Sequence, residues 1–182
     1  MRLRSFLTQI ASKVPSNPIR PSEGRAVVGL KQYFRALRES TDSEEQTALA
    51  VASLEGFLLA GARGELKRTL SYRAAVFLEP AELDSQIVFQ NIKDAYEVRS
   101  KYFHGESSAD SRSERMTLLA KVLSNYARLV AAKLLELALD RENKNRLLEQ
   151  LDEALLDESS RKGIQAGLRG GCWDLVLREQ VR

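Results

Sequence analysis

The chain has 182 residues, 43% hydrophobic and 29% charged, an ordinary globular balance that can bury roughly 70% of the unfolded surface. One cysteine (Cys172) and one histidine (His104) exclude an internal disulfide framework and a multi-Cys zinc site, and argue against any transition-metal centre. No apolar run nears the roughly 18–20 residues of a membrane span, so the expectation is a cytoplasmic protein with no membrane segment and no cofactor.

Net charge is +3, unevenly spread: residues 1–40 hold eight Lys/Arg against two acids, and residues 41–100 hold six against ten. A basic leading segment suits an acidic partner such as RNA, and equally a solvated arm. With only four prolines, ten glycines and long Leu/Ala/Glu/Arg runs, the first expectation is helix.

In chain order, Phe6, Leu7 and Ile10 mark a short amphipathic start, and the Pro-rich stretch 15–24 reads as a loop. Val27, Leu30, Phe34 and Leu37 recur at helical spacing. Thr41-Asp-Ser-Glu44 matches a capping box opening a helix with Leu49, Ala52, Leu54, Phe57 and Leu58. Gly61-Ala-Arg-Gly64 marks a break, followed by a helical run with Leu66, Leu70, Val76 and Phe77.

Glu79-Pro80 starts a new element. Val88, Ile92, Ala95, Tyr96 and Phe103 continue it at three- and four-residue steps to Gly105, a natural stop. After a polar loop at 105–113, Ser111-Arg-Ser-Glu114 opens the clearest helix, with Leu119, Val122, Tyr126, Val130, Leu134 and Leu137. A charged stretch at 140–146 precedes the narrower stripe Leu147, Leu151, Leu155, which can cover the bundle or meet another subunit. Beyond Ser159, Gly170-Gly171 reads as a turn and Trp173, Leu175 and Leu177 as anchors. No strand alternation or internal repeat stands out. The expected fold is an all-α up-down helical bundle: a basic arm at 1–24, the bundle at 25–140 and a helical extension at 141–182.

Three charged residues fall on stripes that should face the core. Arg99 shares a face with Ile92, Tyr96 and Phe103, Glu55 with Ala48, Ala52 and Leu59, and Arg73 with Leu66, Leu70 and Phe77. An unpaired buried charge costs several kcal/mol, so such residues pair or line a cavity. Two arginines against one glutamate leave a spare positive charge for a phosphate; the alternative is a salt-bridge network that orients helices.

His104 lies five residues after Arg99 and directly before Gly105. Histidine moves protons near neutrality and arginine holds phosphate through paired hydrogen bonds, a minimal kit for metal-free phosphodiester chemistry. A lone histidine at a helix end is also a common C-cap. Tyr96, Tyr102 and Phe103 suit base stacking or core packing. Cys172 lacks the surroundings of a nucleophile. Gly167-Leu-Arg-Gly170-Gly171 is not a phosphate loop, because the strand, spacing and lysine of that motif are missing.

Three blocks in order carry a resemblance: Ala50-Val-Ala-Ser-Leu-Glu55-Gly-Phe-Leu-Leu, then Leu70-Ser-Tyr-Arg73-Ala-Ala-Val-Phe-Leu, then Ile92-Lys-Asp-Ala-Tyr-Glu-Val-Arg99-Ser-Lys-Tyr-Phe-His104-Gly105. Together they resemble the HEPN superfamily, and within it the Apea-like group, over roughly residues 45–105. The resemblance implies a helical bundle that dimerises with two Arg/His pairs near the interface. It implies a metal-independent endoribonuclease in many members, an RNA-binding module in others, and a part in prokaryotic defence. Arg99 and His104 occupy the motif positions and are the expected catalytic pair. Glu55, Arg73, Ser100 and Lys101 are the supporting or phosphate-binding candidates. Ser100 departs from the Asn, Asp or His that often follows the motif arginine in active members. The implied partners are RNA, a second copy of the chain, and a neutralising antitoxin or other defence partner. The competing expectation is a non-catalytic HEPN module that binds RNA or nucleotide, or scaffolds a complex.

Overall fold

The computed structural model describes residues 25–59, 62, 64–105, 113–137, 141–171 and 173. The expectations placed on the 1–24 arm, Ser111, Cys172, Leu175 and Leu177 lie outside that set. Among the described residues there are seven α-helices and no strand, in keeping with the all-α expectation. They are α1 (Arg25–Arg38), α2 (Ser43–Leu58), α3 (Leu66–Leu78), α4 (Ser85–Phe103), α5 (Glu114–Leu137), α6 (Arg141–Glu153) and α7 (Glu158–Leu168). No described helix is long and apolar enough to cross a membrane.

Local chemistry sets most of the boundaries. The Asp42 side chain accepts from the Glu45 N–H at 2.8 Å, and the Glu45 carboxylate reaches back to the Thr41 N–H at 2.8 Å. The box therefore sits one residue later than Thr41–Glu44, because Asp42 is the residue whose carboxylate reaches the third N–H. Glu79-Pro80-Ala81 forms a single 3₁₀ turn, not the start of the long helix. Glu82 then takes a left-handed φ of 59°, and Asp84 caps α4 by accepting from Gln86 and Ile87. The Ser113 hydroxyl accepts from the Met116 N–H at 3.1 Å at the head of α5. Gly105, at φ 75°, turns the chain out of α4 in a conformation that a Cβ would strain.

One predicted face is right only in part. Leu30 packs on the core as expected, but Phe34 and Leu37 are half exposed, and Ala26, Gly29, Tyr33 and Ala36 complete the packed face of α1. Gly29 explains the choice: a Cβ there would lie 2.8 Å from the Phe57 ring and 2.9 Å from the Ser53 carbonyl oxygen. Close backbone approach through small residues wins over the neighbouring stripe of larger side chains.

One hydrophobic core joins α2 to α7. Leu54, Phe57 and Leu58 from α2 meet Leu70 and Phe77 from α3, Ile92 from α4, and Leu123 and Leu129 from α5. Burying each such side chain contributes about 1.5–3 kcal/mol. The segment 141–173 belongs to the same core. Leu147, Leu148 and Leu151 are buried in it, and Trp173 packs edge-on against Phe77 with ring centres 6.2 Å apart. The leucine stripe of α6 therefore covers the bundle, and Leu155, past the helix end, is exposed.

Candidate functional site

The two arginines singled out by their stripes go to different places. Arg73, on α3, is 6% exposed and grips Asp152 of α6 with both ends of its guanidinium fork, Nε–Oδ1 and Nη2–Oδ2 each at 2.7 Å. Its remaining Nη1 donates to the Leu58 carbonyl at the end of α2. Each of the three guanidinium nitrogens is therefore engaged. Arg73 is thus a tie between α2, α3 and α6, and the spare positive charge expected for a phosphate is neutralised by Asp152. Asp152 carries a signal that could have revealed it, because Leu148 lies four residues before and Leu155 three after. That is the same apolar face test that flagged Arg73.

Arg99, on α4, pairs with Glu55 of α2 through one approach, Nη2–Oε2 at 2.8 Å. The arginine side chain is 28% exposed and the glutamate 17%. The guanidinium carbon lies 5.4 Å from the centre of the Tyr96 ring and 5.3 Å from that of Phe103. Such cation–π geometry stabilises a charge by about 0.5–2 kcal/mol, more as water is excluded. The Nε is buried and has no hydrogen-bond partner. Burial, and then the Glu55 charge and hydrogen bond, hold the Tyr96 hydroxyl above its ordinary pKa, with Arg99 pulling the other way.

His104 is the C-cap of α4, its backbone N–H directed at the Ser100 and Lys101 carbonyls, each at 3.1 Å. The residue is exposed, as is Lys101, and Ser100 is half-buried. Five residues at about 100° each put His104 about 140° round the axis from Arg99, which faces α2, so the two side chains leave the helix on different sides. One protomer therefore brings Glu55 and Arg99 together and leaves His104 apart from them. Arg73 belongs to the separate Asp152 cluster. The aromatic cluster also divides. Phe103 is 57% exposed, whereas Tyr102 is half-buried near Glu45 and meets Phe103 edge-on at 5.4 Å.

Four helix ends gather at the end of the bundle where α4 stops. The Tyr102–Glu45 contact ties the end of α4 to the start of α2, and Ser43 meets Thr117 of α5 at 3.2 Å between hydroxyls. Arg35, in the last turn of α1, acts on both Glu45 and Tyr102 through its charge. Phe103, with Leu37 of α1 and Leu118 of α5, leaves apolar surface at this end.

One buried cation escaped the sequence reading. Lys133, 3% exposed, donates to Glu136 and to the Gly170 carbonyl at 3.2 Å each and lies 5.5 Å from the centre of a Trp173 ring. It clasps the turn after α7 onto α5. Its spacing from Val130 and Leu137 is again the mark of a charge on an apolar face. No group of three or more His, Cys, Asp or Glu among the described residues is disposed to hold a metal ion.

Comparison with protein-family models, with curated proteins and with solved structures found no match for this chain. The class defined by the structure is an all-α helical protein with a charged, ring-flanked helix end.

Proposed function

We propose that the chain is a HEPN-type metal-independent endoribonuclease, working in the cytoplasm in a defence or toxin-type response. The observation that carries this reading is the end of α4. It bears a partly exposed arginine, held by one ion pair and two rings, and an exposed histidine five residues on. His104 would take the proton of an RNA 2′-hydroxyl, or give one to the departing 5′ oxygen. Arg99 would hold the scissile phosphate and stabilise the charge that builds on it. The products would be a 2′,3′-cyclic phosphate and a 5′-hydroxyl.

The roughly 140° between the two side chains makes a second copy important to this chemistry. Two-fold symmetry can face the histidine of one protomer toward the arginine of the other and provide both an acid and a base. The exposed Leu37, Phe103 and Leu118 suit that contact, and a neutralising partner could cover the same end.

The test is incubation of purified protein with mixed RNA in EDTA. Wild type should yield 2′,3′-cyclic ends, and Arg99→Ala or His104→Ala should lower the rate at least 100-fold. Activity lost to EDTA but kept in His104→Ala would overturn the reading. A second reading, a non-catalytic RNA-binding or scaffolding module, is favoured by the Glu55 ion pair, which already neutralises Arg99. It predicts RNA binding without cleavage, unchanged in His104→Ala.

A further inference from the structure

Glu55 and Arg99 each have a second partner that does not depend on the other. Arg99 keeps the Tyr96 and Phe103 rings, and Glu55 keeps the neighbouring Tyr96 hydroxyl, which lies close enough for the carboxylate to raise its pKa. Separating them would therefore leave neither charge without a stabilising neighbour, unlike a buried pair with no alternatives. The pair is also lightly made. It rests on one nitrogen–oxygen approach, both side chains touch solvent, and the Arg99 Nε has no partner to lose.

We infer that Glu55 is an internal competitor for Arg99, occupying the position a phosphodiester would take, and that RNA binds by displacing it onto Tyr96. This rests on the reading of Arg99 as a phosphate holder. The exchange balances in charge, because a phosphodiester and a carboxylate each bring one negative charge to the guanidinium. A closed pair lowers apparent affinity by the fraction of molecules in which Arg99 is free. A strand that makes further contacts along its backbone can meet that cost, whereas an isolated phosphate gains nothing over the carboxylate it replaces. The arrangement thus selects for polynucleotide over free phosphate and mononucleotide.

The experiment reads the fluorescence anisotropy of a labelled 2′-O-methyl oligoribonucleotide, which binds without being cleaved because its 2′ oxygen cannot attack. Glu55→Gln keeps the shape and removes the charge, and should bind at least fivefold tighter than wild type. Tyr96→Phe keeps the ring but takes away the resting place of the released carboxylate, and should bind at least twofold more weakly. In an Arg99→Ala background, Glu55→Gln should change nothing.

Wild-type binding that needs Arg99 but is unchanged or weakened by Glu55→Gln would overturn the competitor role and leave the RNA reading standing. Tightening that persists without Arg99 would also overturn it, as a general charge effect. No binding by wild type or Glu55→Gln would remove both. If Glu55→Gln does not fold, by circular dichroism, Tyr96→Phe decides: weaker binding supports the competitor, and equal or tighter binding overturns it.

Discussion

Arg73 and Arg99 begin as the same observation, a guanidinium on an apolar helical stripe, and end as opposites. Arg73 is 6% exposed, holds a carboxylate at two points and a carbonyl at a third, and joins three helices. Arg99 is 28% exposed, holds its carboxylate at one point and leaves Nε unmatched. A buried arginine with all three nitrogens engaged is fixed in place, and moving it would unmake the packing around it. An arginine at a helix end, 28% exposed and held by one carboxylate approach, has donors that its ion pair does not use. Saturation, more than burial alone, separates the cation that holds the fold from the cation that is free to work.

The largest effect expected from that contrast lies at Asp152. Asp152→Ala strands the buried Arg73 charge and should cost about 3 kcal/mol in urea unfolding. Arg73→Met should cost clearly less. Asp152, 48% exposed, is left facing water, and the methionine fills the space of the arginine stem. Equal losses for the two variants would break the claim that the arginine is the trapped partner. Glu55→Ala comes next, at about 1–2 kcal/mol, between the ranges for exposed and fully buried pairs. A fully buried pair would lose about 3 kcal/mol or more. Solvent at both side chains and the rings around Arg99 reduce it. A loss at Glu55 as large as at Asp152 would erase the distinction between the two sites.

What was legible in the sequence was local. Gly105 as the end of α4 and the charges of Glu55, Arg73 and Arg99 on apolar faces all follow from residues within a few turns of one another. The pairing of those charges was legible only in part: a salt bridge from Glu55 to one of the two arginines was open from the stripes and Arg99 makes it, whereas the partner of Arg73 was hidden. Arg73 finds its carboxylate 79 residues away, on a helix whose charged start hid a regular apolar face. The face of α1 was partly misread for a related reason. Side-chain size pointed to Phe34 and Leu37, while the approach of Gly29 to Phe57 decided the packing. His104 was visible as the single histidine, but its rotation away from Arg99 matters only once the helix is known to run unbroken between them.

The smallest expected effect concerns the contact that fixes the end of α4 without using either arginine. The Glu45 carboxylate accepts first from the Thr41 N–H, then from the hydroxyls of Thr41 and Tyr102, and these bonds hold its pKa below the ordinary glutamate value against the opposing pull of burial. A carboxyl lowered in the folded state stabilises the fold fully above its unfolded pKa, about 4.3. That stabilisation is lost as pH falls through the lower, folded value. Glu45→Gln should therefore be less stable than wild type at pH 6 by no more than about 0.5 kcal/mol, the low end for a capping interaction, because water screens the exposed carboxylate. The gap should close as pH approaches 3, because other carboxyl groups titrate alike in both proteins and cancel in the difference. Tyr102→Phe should reproduce only part of the pH 6 loss, since the Thr41 bonds remain. A gap that stays constant or widens on acidification would mean that Glu45 acts through packing and not through charge. The end of α4 would then be tethered apolarly, leaving the Arg99–Glu55 pair as the charged contact that distinguishes it from the Arg73 junction.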